Sequence, residues 1–241
     1  MSKRNSKKDV IVLFSGGKDS FLTACQLIEE GFKVYLVCFE TFAGIASKNV
    51  KYGARRIIKK YGADKAEFLG SYSNVGIWRE FVFPFLNMKP SQLIAEFGEI
   101  TTSQFNCLTC RSAMYVWVII KAKQMNVTVV ADGARKSQGF VIELPCMTER
   151  FKSFFAEFGI TLMFPVIDLE SDLRLKNLLL ARGFVPKVIE PQCLIGVPLP
   201  GGKEPEKDVQ DAVLQYFNKV IVPKARELIS NNFPITAKDI I

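Results

Sequence analysis

VIVLFSGGKDSFLTAC, residues 10–25, joins an apolar run to two adjacent glycines, a lysine, an aspartate and serines. The run from Asp9 to Ser15 has no polar alternation, the pattern of a strand covered on both faces. Past the glycines, Phe21, Ala24, Cys25 and Ile28 recur at helical spacing and Gly31 ends the pattern. A first strand, a glycine loop and a helix form the turn that, in an open α/β sheet, aims backbone N–H groups and a positive helix end at an anion. Gly16 and Gly17 allow close approach to phosphate oxygens, Ser15 and Ser20 add hydroxyls, Lys18 adds charge and Asp19 suits Mg²⁺. The plainer alternative is a tight turn whose Ser, Asp and Lys only cap the helix. The spacing is neither that of a Walker A loop nor that of Gly-x-Gly-x-x-Gly, which removes the main support for an ordinary kinase or dehydrogenase.

Outward from this stretch the alternation continues. FKVYLVCFE reads as a second buried strand ending near Phe39 and Glu40, VKYGARRIIKKYGA as an amphipathic helix and KAEFLGS as a third strand. Residues 74–100, with Pro84 and Pro90, read as inserted helical pieces. FNCLTCRSAMYVWVIIKAKQMN reads as a central buried helix, VTVVADGARKSQ as a fourth strand running into a glycine loop, and ITLMFPVID as a fifth. A helix follows over SDLRLKNLLLARG, with Ser171 as its cap. The expected fold is α/β: an open, mostly parallel, five-stranded sheet with helices on both faces. Residues 1–200 are expected to form the main domain. Residues 201–241 follow a Pro- and Gly-rich boundary as a helical appendage, with Val209, Val213, Tyr216, Phe217 and Val220 as its apolar stripe.

Composition narrows the chemistry. The chain has 241 residues, a formal charge of +8 and no histidine, so triads and metal sites that need imidazole are excluded. The positive charge, including Arg55, Arg56, Lys59 and Lys60 on one helix, suits RNA or a merely solvated face. AMYVWVII is too short to span a membrane, and the basic N-terminus does not read as a secretory signal, so a cytoplasmic location is expected. Six cysteines in such a compartment are core residues, metal ligands or redox groups. Cys25 and Cys38 fall on core positions. Cys107 and Cys110 form a C-x-x-C pair: a metal or cluster half-site, a redox pair, or two cysteines of a core turn. Placed at a helix start, their thiols are expected to have lowered pKa values. Cys193, on a Pro- and Gly-flanked loop, is the best third ligand, and Cys146 is ambiguous.

SGGKDS at the end of a first strand resembles the pyrophosphate loop of the N-type ATP pyrophosphatase (PP-loop) superfamily. That resemblance implies that ATP is bound, a substrate oxygen is adenylated and pyrophosphate leaves. It places Ser15, Gly16, Gly17, Lys18, Asp19 and Ser20 on the β- and γ-phosphates, Phe39 at the adenine and Gly133 beside the α-phosphate. Lys18, Asp19 and Arg135 become the catalytic candidates, with Lys136 as a further cation near phosphorus and Asp132 as either a second Mg²⁺ ligand or a turn former. CLTCRSAMYVW is similar to the segment that follows the cysteine pair in 2-thiocytidine tRNA synthetases and related PP-loop sulfur-transfer enzymes. The resemblance implies a [4Fe–4S] cluster on Cys107, Cys110 and Cys193, a sulfur donor, and a tRNA base or a small nucleobase-like substrate. Zn²⁺ on the same cysteines, as in an amide- or nitrile-forming ligase similar to 7-cyano-7-deazaguanine synthase, is the alternative. A nucleotide-binding sensor is the alternative of another class, and a homodimer is left open.

Overall fold

The computed structural model describes residues 8–41, 44–45, 49–98, 100–136, 139–186, 192–195 and 206–235. The central sheet holds β1 (Lys8–Leu13), β2 (Phe32–Glu40), β4 (Ala66–Ser73), β5 (Val129–Asp132) and β6 (Thr161–Met163). Its order is β4-β2-β1-β5-β6, and every pairing is parallel. The fold is thus α/β with an open five-stranded sheet, as the strand–helix alternation predicts.

The apolar strands alternate their side chains between two helical layers. Ile11 and Leu13 of β1, with Val37 and Phe39 of β2, belong to the core shared with α3 (Val75–Leu86), α5 (Thr102–Met125) and α6 (Pro145–Ala156). Val10 and Val12, with Val34, Leu36 and Cys38, belong to the core shared with α1 (Lys18–Glu29), α2 (Val50–Tyr61) and α7 (Asp172–Ala181). Double coverage is why these strands read as continuous apolar runs.

Alternation explains less of α5. Trp117, Val116, Val118, Ile119 and Ile120 are all buried because this helix has neighbours all round: α3 packs on it, as do α8 (Lys207–Tyr216) and α9 (Val222–Ser230). The short α4 (Pro90–Phe97) lies against α8. Tyr216, at the end of α8, donates from its hydroxyl to the Phe81 carbonyl at 2.8 Å and packs edge-on against Phe97 and Phe105.

The structure departs from the sequence reading at three places. The fifth strand is only Thr161–Met163, because Pro165 has no N–H to continue the ladder. The central helix begins at Thr102, where the Thr101 hydroxyl accepts from the Gln104 N–H at 3.3 Å, several residues before the cysteine pair. Two further strands, β3 (Gly44–Ile45) and β7 (Gln192–Cys193), pair antiparallel and are too short to leave a periodicity. Much of the Pro- and Gly-rich boundary, and the first residues of the chain, lie outside the described residues. Among the described residues, no helix is long and apolar enough to cross a membrane.

Gly133, in the loop after β5, touches the start of α1. A β-carbon there would lie 2.7 Å from the Ser20 nitrogen and 2.8 Å from its Cα. Backbone cannot yield as a flexible side chain can, so Gly133→Ala is expected to destabilise the fold by roughly 1–3 kcal/mol, the usual cost of overpacking. Urea unfolding checks this.

Candidate active site

The crevice opens where the connections diverge on either side of β1, between β2 and β5, the place where doubly wound sheets bind ligands. A cavity of about 330 Å³ lies there. Leu13, Phe14 and Ser15 line it after β1, Val37 to Phe39 at the end of β2, and Asp132, Gly133 and Ala134 after β5.

The glycine loop is built as its residue types require. Gly16 has φ of +80°, a left-handed conformation that suits glycine. The Gly17 N–H donates to Ser15 Oγ at 3.2 Å, and Ser20 Oγ donates to the Gly17 carbonyl at 3.1 Å. No side chain caps the first turn of α1, whose positive end faces the crevice. Asp19 and Ser20 line the cavity, whereas Lys18 pairs with Asp172 at the start of α7 at 2.6 Å.

Asp172 also receives Lys176 at 2.9 Å. The hydrogen bonds from Lys18 and Lys176 hold its carboxyl down at about 2. Arg135 is buried and pairs through Nε with Asp19 Oδ1, reaches Asp172 at 3.7 Å, and donates from Nη1 to the Leu169 carbonyl at 3.2 Å. Burial nonetheless raises the Asp19 carboxyl, with Arg135 and Lys18 pulling the other way. Lys136, by contrast, pairs with the exposed Asp168 at 2.5 Å and does not line the cavity.

Asp132 is 2% exposed, and its position favours the turn-forming reading. Its Oδ1 accepts the Ala134 N–H at 3.1 Å; its Oδ2 accepts Arg111 Nη1 at 2.5 Å and the Tyr115 hydroxyl at 2.7 Å. Phe39 is buried, meets Trp117 edge-on with centroids 5.2 Å apart, and presents to the cavity.

Cys107, Cys110 and Cys193 all line this same cavity, so the structure brings the two halves of the sequence constellation together. Among the described residues, no group of three or more Cys, Asp or Glu is arranged so as to hold a metal ion. Cys193 is exposed, on β7, with Asn106 Nδ2 3.8 Å from its sulfur. The lowered thiol pKa expected from a helix start is overturned. Both cysteines sit inside α5 rather than at its first turn, and burial pushes Cys107 up to about 12 and Cys110 up to about 11. Cys146 is bonded to Gln210 Oε1 at 3.6 Å and is not among the cavity residues.

Sequence reasoning passed over Arg111, Asn106, Glu143 and Asp172. Arg111 follows the cysteine pair directly, and its charge at the edge of the apolar run Ala113–Ile120 is the signal that could have marked it. Glu143 is the lone acid in FVIELP and carried the same signal.

No family model and no curated protein sequence matches this chain. Solved structures do. A 4-thiouridine synthetase, in complex with RNA and bound ATP, aligns at TM-score 0.56 and 14% identity over 94% of this chain and 53% of its own. NMN synthetase from Francisella tularensis aligns at TM-score 0.51 and 13% identity over 98% of this chain and 91% of its own. This chain therefore spans about half the length of the thiouridine synthetase chain. At these identities the likeness is one of fold: the chain shares the open α/β architecture of both structures.

Two outcomes are expected of the site in solution. Asp132→Ala strands the partly buried Arg111 guanidinium and should cost roughly 3–5 kcal/mol in denaturant unfolding, with Asp132→Asn costing less. In the native apoprotein near neutral pH, iodoacetamide should label exposed Cys193 well before Cys107 or Cys110, as peptide mass spectrometry would read out.

Proposed function

We propose that this chain is an ATP-dependent enzyme that adenylates a substrate oxygen, releases pyrophosphate and then replaces that oxygen with sulfur. The observation that carries the reading is that one cavity joins the phosphate-loop residues Ser15, Asp19 and Ser20 to the thiols of Cys107, Cys110 and Cys193. ATP enters with its β- and γ-phosphates on the loop from Ser15 to Ser20 and its adenine toward Phe39. Lys18 and Arg135, now held by Asp172 and Asp19, exchange carboxylates for phosphate oxygens or for the Mg²⁺-bound nucleotide. Backbone and guanidinium donors then stabilise charge growing on the α-phosphorus, an electrostatic route that needs no histidine.

A tRNA base is the substrate we favour. The face of α2 that carries Lys51, Arg55 and Lys59 is exposed, and Val50, at the head of that helix, lies 3.4 Å from where a Gly16 β-carbon would stand. A basic strip thus runs from the phosphate loop outward, as suits a polyanion. An external donor supplies sulfur at the sulfide level: the sulfur bonds to the adenylated carbon, and AMP leaves with the electron pair of the carbon–oxygen bond.

A [4Fe–4S] cluster or Zn²⁺ on Cys107, Cys110 and Cys193 suits the donor chemistry, since three thiolates bind either. Among the described residues their arrangement does not close on such a group. When bound, a cluster would supply an open iron for sulfide. Metal and sulfide analysis of protein kept free of oxygen tests for it.

Incubation with ATP, Mg²⁺ and unmodified tRNA, scored for AMP and pyrophosphate, tests the reaction itself. Lys18→Ala is expected to slow pyrophosphate release by about 10²-fold or more, since removing one preformed charge donor commonly costs that much. Release of phosphate without pyrophosphate would contradict the assignment.

A further inference from the structure

A buried acid lies in the same cavity without a role in the scheme above. Glu143 ends a one-turn 3₁₀ helix, Val141–Glu143, and is 2% exposed. The turn is pinned by Gln104 of α5, whose Oε1 accepts the Val141 N–H at 3.0 Å. Glu143 lines the cavity, and its Oε2 is buried with no hydrogen-bond partner among the described residues. Asn106 lines the same cavity, and its Oδ1 is likewise buried with no hydrogen-bond partner among the described residues. Buried polar atoms are rarely left so, and two of them facing one cavity mark where a ligand supplies donors.

The charges around Glu143 say which donors. Its electrostatic neighbours are Arg111, Tyr115 and Cys107 from α5, Asp132 and Arg135 from β5 and its loop, and Asp19 from α1. α6 and α8 also pack on the turn and are tied to each other by the Cys146 bond to Gln210. Arg111 is committed to Asp132, and Arg135 to Asp19. Glu143 is therefore the carboxyl left without a cation of its own. Burial pushes its pKa up to about 8, so near neutrality it can both accept and give up a proton.

We infer that Glu143 is a catalytic residue that takes the proton from an N–H adjacent to the carbonyl being adenylated, and that the site accepts lactam or amide oxygens rather than carboxylates. The inference rests on the adenylation reading. An amide oxygen attacks phosphorus well only as its neighbouring N–H loses its proton. As the oxygen–phosphorus bond forms, the bond from the α-phosphorus to the bridging oxygen breaks and pyrophosphate leaves with that electron pair. The N–H electrons become the C=N bond, and the proton goes to Glu143. A carboxylate substrate has no such proton to give and would meet Glu143 as a second negative charge. Asn106 Oδ1 is free to accept a further N–H from the same ring.

The variant Glu143→Gln keeps the shape and loses the base. The wild type should release pyrophosphate with an unmodified tRNA transcript at a rate that rises with pH through about 8. Glu143→Gln should lose about 10²-fold or more and the pH dependence with it, with ATP affinity unchanged and partial recovery in Glu143→Asp. Aromatic carboxylic acids should not substitute for the transcript. Folding gives a second readout. A carboxyl raised above its unfolded value of about 4.3 stabilises the fold below that value, and the contribution is lost as pH climbs through the folded value. Glu143→Gln should therefore melt above the wild type at about pH 9, with the gap closing by about pH 4. A variant that keeps the wild-type rate and pH profile, or a wild type that turns over carboxylic acids equally well, overturns the role of Glu143 while leaving adenylation standing. A wild type that makes no pyrophosphate with any probe overturns the adenylation reading and this role together.

Discussion

The Asp132 carboxyl is the point on which the crevice depends. It sits at the end of β5 with almost no exposure and spends its oxygens on three donors from two directions: Arg111 and Tyr115 of α5, and the backbone of Ala134. These bonds fix the loop after β5 to the central helix. That loop carries Gly133, which lies against the backbone of Asp19 and Ser20, and Arg135, which pairs with Asp19. One buried acid thus sets the distance between the loop after β5, the start of α1 and the helix that bears the cysteines. Removing one partner of such a cluster leaves a charge with nowhere to go, which costs more than the pair contributed.

The cations of the glycine loop and of the loop after β5 are neutralised by carboxylates of the same chain. Lys18 is held by Asp172 and Arg135 by Asp19, so neither cation stands bare in the crevice. A nucleotide bound as proposed would have to compete with these carboxylates, and Mg²⁺ held by one of them would ease the exchange. Asp172 is the partner that ties this exchange to the rest of the molecule. It stands at the start of α7, whose first turn is capped by the Ser171 hydroxyl at 3.2 Å from the Arg174 nitrogen. Lys176 contacts the same carboxylate as Lys18, so the acidic start of α7 has two lysine partners.

What was legible in the sequence follows from the range of each interaction. Strands buried on both faces leave runs such as VIVLF, and the glycine loop leaves its composition, so the sheet and the turn between β1 and α1 could be read locally. Ser171 was legible for the same reason, as a cap three residues from its donor. Asp172 was not, because its partner is 154 residues away and its local pattern is that of any helix start. The pairing of Gly44 with Cys193 was hidden for a related reason: two residues show no period, and only the fold brings them together. The thiol pKa was misjudged through a boundary. The Thr101 cap starts α5 early enough to carry Cys107 and Cys110 past the first turn, beyond the reach of the helix dipole, and burial then decides.

That last point constrains any chemistry on the cysteines. Burial raises both thiols, Cys107 to about 12 and Cys110 to about 11, which disfavours their thiolate forms near neutrality. After burial, the next largest cause at Cys107 is the negative charge that Cys193 and Cys110 would themselves carry. A positive centre among the three reverses both terms at once: it offsets the desolvation and turns mutual repulsion into shared attraction. Cys193 is exposed on a two-residue strand, whereas Cys107 and Cys110 lie within the long central helix.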